Sequence, residues 1–243
     1  MQKIPMQIYE EIVKQELNAW QKKMQRRPGL VDRISKKMQT KVNSWIPEKV
    51  HKTITDIIRQ MVKAVLFGAE FTTGSHSSHS SLEVKEAAIS ERIKFYRNTA
   101  AVEGGLTGAG GILLGLADFP LLLGIKLKLL FDIANLYGFD VRDYKERVFI
   151  LHIFQLAFSS QQQTREVYKT ISNWEEYAKK LPEDINKFEW RAFQQEYRDY
   201  IDLAKLAQLI PVIGAAVGLV VNYRLIKKLG VTAMNSYRMR LEM

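Results

Sequence analysis

The chain has 243 residues, a formal net charge of +10 and no cysteine. That length can bury a sizeable core, as one large domain or two closely joined ones. The lack of cysteine excludes disulfides, thiol chemistry and cysteine-ligated metal, and suits a reducing compartment.

Residues 1–63 hold 14 Lys/Arg and 6 Asp/Glu, and the segment 203–243 holds 6 and 1, so both ends are basic. A basic surface of this kind attracts nucleic acid or anionic lipid, unless it is ordinary solvated helix surface. The start of the chain is charged and amphipathic, with no apolar stretch of signal-peptide length, so secretion is not expected. A first helix is predicted from Ile8, Ile12, Val13, Leu17, Trp20 and Met24, stopped by Pro28-Gly29. Its polar side ends in Lys22, Lys23, Arg26 and Arg27. A second is expected over 30–44. A third opens after Pro47, with Val50, Ile54, Ile57, Ile58, Met61, Val65 and Leu66 as its apolar positions.

The Ser/His-rich run 72–81 reads as a loop, and a helix then runs from Leu82 into the glycine segment. Asp118-Phe119-Pro120 is expected to break or restart that helix. Apolar sequence continues to Tyr137 and ends at Gly138, a C-cap. Further helices are expected over 143–158, 164–181, 183–208 and 212–229, with Pro211 as a break. Gly230 should stop the last of these before a short basic tail helix over 231–241. No alternating run requires a sheet. The expected fold is all-α: a compact multi-helix domain with two central glycine-rich apolar helical segments. Its regions are a basic amphipathic part (1–71), the loop (72–81) and a glycine-rich core (82–243), together one domain.

Six of the fourteen glycines lie between Gly104 and Gly115. Gly104/Gly108 and Gly111/Gly115 are four apart, as are Gly214/Gly218 in the second apolar segment. Such spacing makes a flat stripe against which another helix can pack closely. Each interior glycine costs about 1 kcal/mol relative to alanine, and close packing offsets that cost. A membrane span needs about 20 apolar residues. The segment 106–125 reaches that length only across Asp118 and Pro120, and the thirteen residues 209–221 fall short. A buried helical hairpin, one that dips into a bilayer, and a true pair of spans are the three readings, favoured in that order.

Two motif blocks occur in order. The first is Gly104-Gly-Leu-Thr-Gly-Ala-Gly-Gly111, then Asp118-Phe-Pro120, Lys128-Leu-Leu-Phe-Asp-Ile-Ala134, Tyr137-Gly-Phe-Asp140 and Glu146-Arg147. The second is Ile210-Pro-Val-Ile-Gly214, Gly218 and Asn222-Tyr-Arg-Leu225. Together they resemble the EcsC protein family over most of the chain, about residues 19–238. Lys128 stands where the family pattern more often has arginine, which keeps the charge but weakens a planar, bidentate role. The resemblance implies a bacterial accessory protein, intracellular or membrane-associated, linked to an ABC transporter. It carries over no catalytic residues.

The candidate functional residues are Glu103, Asp118, Lys128, Glu146, Asn222 and Arg224. Asp118 reads first as an N-cap before an apolar helix. Asn222 and Arg224 read as the wet end of one, with Arg224, Lys227 and Lys228 complementing its dipole. Convergence of Glu103, Asp118 and Glu146 would suit a divalent metal or acid/base chemistry. His76 and His79 sit in a loop without further ligands. His51 and His152 read as lone structural histidines. The glycine run lacks a Walker A lysine and the Gly-x-Gly-x-x-Gly spacing, since position 113 is Leu113. No metal or cofactor is expected. The preferred reading is a non-enzymatic protein of the cytoplasm, peripheral to the inner face of the cell membrane. Its basic helices and apolar hairpin would face a membrane surface or a membrane transporter. A carboxylate- or metal-dependent hydrolase and a basic nucleic-acid-binding helical protein are the alternatives, though no motif specific to nucleic acid occurs.

Overall fold

The computed structural model of the chain describes residues 6–26, 48–67, 80–107, 111–201 and 214–241. At 6, 48–51, 100–107, 111–118, 161–162, 198–200 and 214–221 it describes the backbone only. The expected helix over 30–44, most of the 72–81 loop with His76 and His79, and the break at Pro211 lie outside these residues. The architecture is all-α, as the helical periodicity predicts. The helices are α1 (Met6–Gln25), α2 (Glu48–Phe67), α3 (Leu82–Thr107), α4 (Gly111–Tyr137), α5 (Tyr144–Phe158), α6 (Gln161–Ser172), α7 (Trp174–Lys179), α8 (Trp190–Tyr200) and α9 (Gly214–Arg240).

Three long helices, α3, α4 and α9, form the centre. Their relative directions follow from side-chain pairings. Glu86 of α3 bonds Arg238 of α9, Gly230 of α9 lies against Ile93, and Arg97 stacks on Tyr223. Numbers rise on α3 as they fall on α9, so the two are antiparallel. Tyr137 of α4 bonds Glu86 and Asp132 of α4 is bonded by Tyr96, which sets α4 antiparallel to α3. The C-terminal end of α3 and the N-terminal ends of α4 and α9 therefore meet at one end of the bundle. Of the glycines paired four apart in the sequence, Gly104, Gly111, Gly115, Gly214 and Gly218 lie on those three helix ends. Gly108 and the contacts of the other five fall outside the described side chains.

In α5 only Lys145 and Arg147 escape burial, as expected of a helix apolar on nearly all sides. Its N-terminus is capped by Asp143, which accepts from the Lys145 backbone N–H at 2.9 Å. The face of α2 bearing Ile54, Ile58, Met61, Val62, Val65 and Leu66 is buried in the same core, and Arg147 Nη1 donates to the Leu66 carbonyl at 3.1 Å. Gly138 ends α4 with φ +99°. Its N–H bonds the Asn135 carbonyl, and the Phe139 N–H bonds that of Ala134, both at 3.0 Å. This is a Schellman motif, and the left-handed residue at its turn favours glycine.

Four expectations about helix ends need correction. The helix does not break at Asp118-Phe119-Pro120, because α4 runs through Pro120. Pro120 faces outward while Phe119, Leu122 and Leu123 are buried around it. Their packing outweighs the roughly 3 kcal/mol that an interior proline costs. Asp118 consequently lies inside α4 and is not its N-cap. The helix expected over 164–181 is divided at Asn173, whose side-chain amide donates to the Lys169 carbonyl at 3.0 Å. The one expected over 183–208 is replaced by a short 3₁₀ turn, Ile185–Lys187, followed by α8. Asp184 caps that turn through the Asn186 N–H.

The fourth correction concerns Gly230, which does not stop α9. A Cβ at this position would lie 2.5 Å from Ile93 Cδ1 and 2.6 Å from Cγ1. Glycine is there because α3 approaches too closely for any side chain. Gly230→Ala gains about 1 kcal/mol of helix propensity but overpacks by about 1–3 kcal/mol. We expect a net loss that lowers Tm by a few degrees. In an Ile93→Ala background the same substitution should cost nothing. Additive losses in the double variant would show that this contact is not the reason for glycine.

Candidate functional site

The polar chemistry of the core lies in buried charges shared between distant helices. At the end of the bundle where α3 begins, Arg238 Nε and Nη2 donate to the two Glu86 oxygens at 2.7 and 2.6 Å. Glu86 also accepts from Tyr9 of α1 at 2.7 Å and from Tyr137 of α4 at 2.9 Å. Arg238 Nη1 reaches Glu16 of α1 at 3.0 Å. Burial, with Glu86 beside each, holds the Tyr9 and Tyr137 phenols well above their usual range, so both remain donors. A bidentate pair with every lone pair occupied is the geometry that makes a buried ion pair tolerable.

A second pair is made by the neighbouring residues Tyr237 and Arg240 of α9. Glu146 is 5% exposed. It accepts from Tyr237 and from Arg240 Nη1, both at 2.6 Å. The Arg240 guanidinium lies over the Phe139 and Phe149 rings at 4.1 and 4.5 Å. Burial pushes the Glu146 carboxyl up, and Arg240 and Tyr237 draw it back down. Glu146 borders an open groove of about 380 Å³. The charges there pair with one another: Lys145 bonds Glu183 at 2.7 Å, and Arg240 approaches Glu175 at 3.7 Å. The carboxylate is thus engaged in holding α5 to α9.

Glu103 and Asp118 lie on the described backbone of α3 and α4, and their side chains are outside the description. The structure brings Glu146 to Tyr237 and Arg240. Among the described residues no group of three His, Asp or Glu side chains could hold a metal ion. Lys128 donates to Asp132 at 3.1 Å, and Tyr96 bonds the other oxygen of that carboxylate at 2.8 Å. Asn222 is not at a wet helix end: it is fully buried. Its Oδ1 accepts from Lys126 at 3.2 Å, and the same ammonium donates to the Leu122 carbonyl. Arg224 and Lys227 are exposed. They sit in the interior of α9 rather than in its last turn, where Arg238 and Arg240 stand instead.

Glu86, Lys126, Asp132 and Arg238 were not singled out from the sequence. Glu86 and Arg238 are 152 residues apart, and no local pattern pairs them. Lys126 offered one readable signal, a lysine inside an otherwise apolar run.

The other end of the bundle is different. The last eight residues of α3 and the first eight of α4 and of α9 contain only Glu103 and Asp118 as ionisable groups. Next to them stand the exposed apolar side chains Phe95, Leu121 and Tyr223, with the Arg97 guanidinium 4.0 Å above the Tyr223 ring. The adjoining stretches 92–99, 119–128 and 222–228 hold eight Lys/Arg and no Asp/Glu. Among the described residues no helix is long and apolar enough to cross a membrane. α1 docks toward the opposite end, through Tyr9 to Glu86 and Glu16 to Arg238. The basic groups beside the glycine-bearing ends therefore come from α3, α4 and α9 rather than from α1.

The pattern of the EcsC protein family matches residues 11–241. Protein EcsC of Bacillus subtilis (strain 168) is 45% identical over 232 residues, covering 95% of each chain. A second protein of that strain, Uncharacterized protein YdbA, is 34% identical over 145 residues, covering 59% of this chain and 53% of its own. No solved structure matches.

Proposed function

Because the chain belongs to the EcsC protein family, we propose that it is a non-enzymatic accessory protein that docks on an anionic membrane surface through the glycine-bearing end of its central bundle. One observation carries the reading: three apolar helix ends converge beside exposed Phe95, Leu121 and Tyr223, and a band with exposed Arg92, Arg224 and Lys227 lies behind them. Eight helical residues are about 12 Å long. That suits an insertion of about 5–10 Å into the headgroup boundary and falls far short of the roughly 30 Å hydrocarbon core. The apolar ends would enter the interface, and Lys and Arg side chains would reach phosphates from behind them. The site is the inner face of the cell membrane, and a membrane transporter of the ABC class is the partner the family resemblance suggests.

Vesicle co-sedimentation tests this. Binding to anionic vesicles is expected, with little to zwitterionic ones and a steep loss as salt shortens the Debye length from about 10 Å at 0.1 M to about 3 Å at 1 M. Arg224→Gln and Lys227→Gln should each weaken binding about fivefold, from roughly 1 kcal/mol per surface charge. Equal binding by the neutral variants, or no binding to anionic vesicles at low salt, would remove the proposal. The hydrolase reading loses support from Glu146, whose carboxylate is already taken by Arg240 and Tyr237. The nucleic-acid reading needs a basic face through 33–41, which is outside the described residues.

A further inference from the structure

Behind the glycine-bearing end, the Arg97 guanidinium lies 4.0 Å above the ring of Tyr223, which is 39% exposed. Arg97 Nε is buried and has no hydrogen-bond partner. Nη1 and Nη2 also have no partner among the described residues, and they keep accessible surface. The described carboxylates on α3 and α4 nearest to this pair are already taken, Glu91 by Lys94 and Asp132 by Lys128 and Tyr96. The stretches 92–99, 119–128 and 222–228 contain no acidic residue. A ring face therefore holds this guanidinium, and its charge is unmatched among the described residues.

Stacking on an aromatic face fixes the plane of a guanidinium. With Nε closed off, the open edge is the one that carries Nη1 and Nη2. That edge presents two N–H groups side by side, a fork that matches two oxygens of one phosphate. A lysine at the same place would supply the charge without the fork.

The depth of the pair agrees with such a ligand. Arg97 stands ten residues before the end of α3, and Tyr223 nine after the start of α9. At 1.5 Å per residue both lie about 14–15 Å from the helix ends. With those ends about 10 Å beyond the headgroup boundary, the pair lies about 5 Å above it. The headgroup layer is about 5–8 Å thick, so the pair falls among the phosphates, a level that also suits a tyrosine ring.

We propose that Arg97, oriented by Tyr223, is a binding site for the phosphate of a membrane phospholipid, gripped in bidentate fashion through Nη1 and Nη2. The site rests on the membrane reading and adds to it a specific ligand, where the other basic groups supply charge alone.

The test uses the full chain, ¹⁵N-labelled, with monomeric dihexanoylphosphatidylglycerol as the probe. The Arg97 Nε resonance is the one that disappears in Arg97→Lys. It should shift saturably as the short-chain lipid is added. sn-Glycerol 3-phosphate, which lacks the acyl chains, should bind at least about tenfold more weakly. On phosphatidylglycerol vesicles Arg97→Lys should bind about tenfold more weakly than wild type, from the lost bidentate contact. Tyr223→Leu should lose about threefold, and Arg224→Lys, which keeps the charge of an exposed side chain, nothing. An unchanged Tm separates a lost contact from a lost fold, and the Nε titration of the wild type reads the site without any variant. An Nε resonance that does not move with the short-chain lipid, or vesicle binding indifferent to Arg97→Lys, overturns the phosphate site and leaves the membrane reading intact. Equal binding of glycerol phosphate overturns the lipid as the source of the phosphate. A wild type that titrates with the short-chain lipid but ignores vesicles supports the site and overturns the membrane reading.

Discussion

Replacing Arg238 by methionine is expected to destabilise the protein by about 3–5 kcal/mol, the usual consequence of leaving a buried charge without its partner. Glu86 would then sit 2% exposed with only the Tyr9 and Tyr137 hydroxyls to solvate it. For a chain of this size the loss corresponds to a fall in Tm of roughly 10 °C. The same guanidinium bonds Glu16, so α1 should loosen as well. Hydrogen exchange along α1 would rise before the global transition. The double variant Glu86→Leu, Arg238→Met removes both charges and should recover most of the loss. A double variant no more stable than Arg238→Met would mean that the pair's mutual attraction is not what holds this end together. Thermal unfolding of the wild type, both single variants and the double variant decides the point.

The second large effect concerns acid. Burial lowers the His152 pKa from 6.5 to about 4, against a smaller upward pull from Gln155. Between those values the unfolded chain binds a proton that the folded chain does not, so stability rises with pH there. The contribution is fully present above pH 6.5 and is lost as the pH falls through about 4. At 1.36 kcal/mol per unit it amounts to about 3 kcal/mol. Other groups titrate in this window too, so the informative quantity is the difference in slope between wild type and His152→Gln. Denaturant unfolding at a series of pH values should show the wild type losing about 3 kcal/mol more than the variant between pH 7 and pH 4. Parallel curves would mean that His152 binds its proton equally well in the folded and unfolded chain.

The fold class was legible because apolar residues recur at helical spacing from Ile8 onward, and because Gly138 and Asp143 mark ends with local chemistry. Pro120 and Gly230 misled for a common reason. Both are read locally as breakers, but burial of Phe119, Leu122 and Leu123, and the close approach of Ile93, decide the outcome. The close-packing argument about glycine therefore holds at Gly230, a position outside the i,i+4 pairs to which it was applied. Of the candidate residues, Glu146 and Asn222 proved to be buried members of polar pairs. Their partners Arg240 and Lys126 lie on other helices, 94 and 96 residues away in sequence. Periodicity says which face of a helix is inward but not which helix it meets, so the Glu86–Arg238 network was invisible until the packing was known. Charge asymmetry was coarser than the packing in the same way. It pointed to both ends of the chain, 1–63 and 203–243, while the basic residues nearest the apolar end belong to α3, α4 and α9, of which only α9 lies in those segments.

The central claim, that the glycine-bearing end is the membrane-facing one, has a direct measurement. The chain has no cysteine, so a single introduced one takes a polarity-sensitive fluorophore at one position. Leu121 and Val84 are both exposed, at 57% and 56%. Leu121 stands at the glycine-bearing end of the bundle, and Val84 is in the first turn of α3, at the other. On mixing with anionic vesicles, a label at Leu121→Cys should shift to the blue and become shielded from aqueous quenchers, while one at Val84→Cys stays unchanged. A shift at 84 with none at 121, or no shift at either position when the protein is bound, would contradict the account.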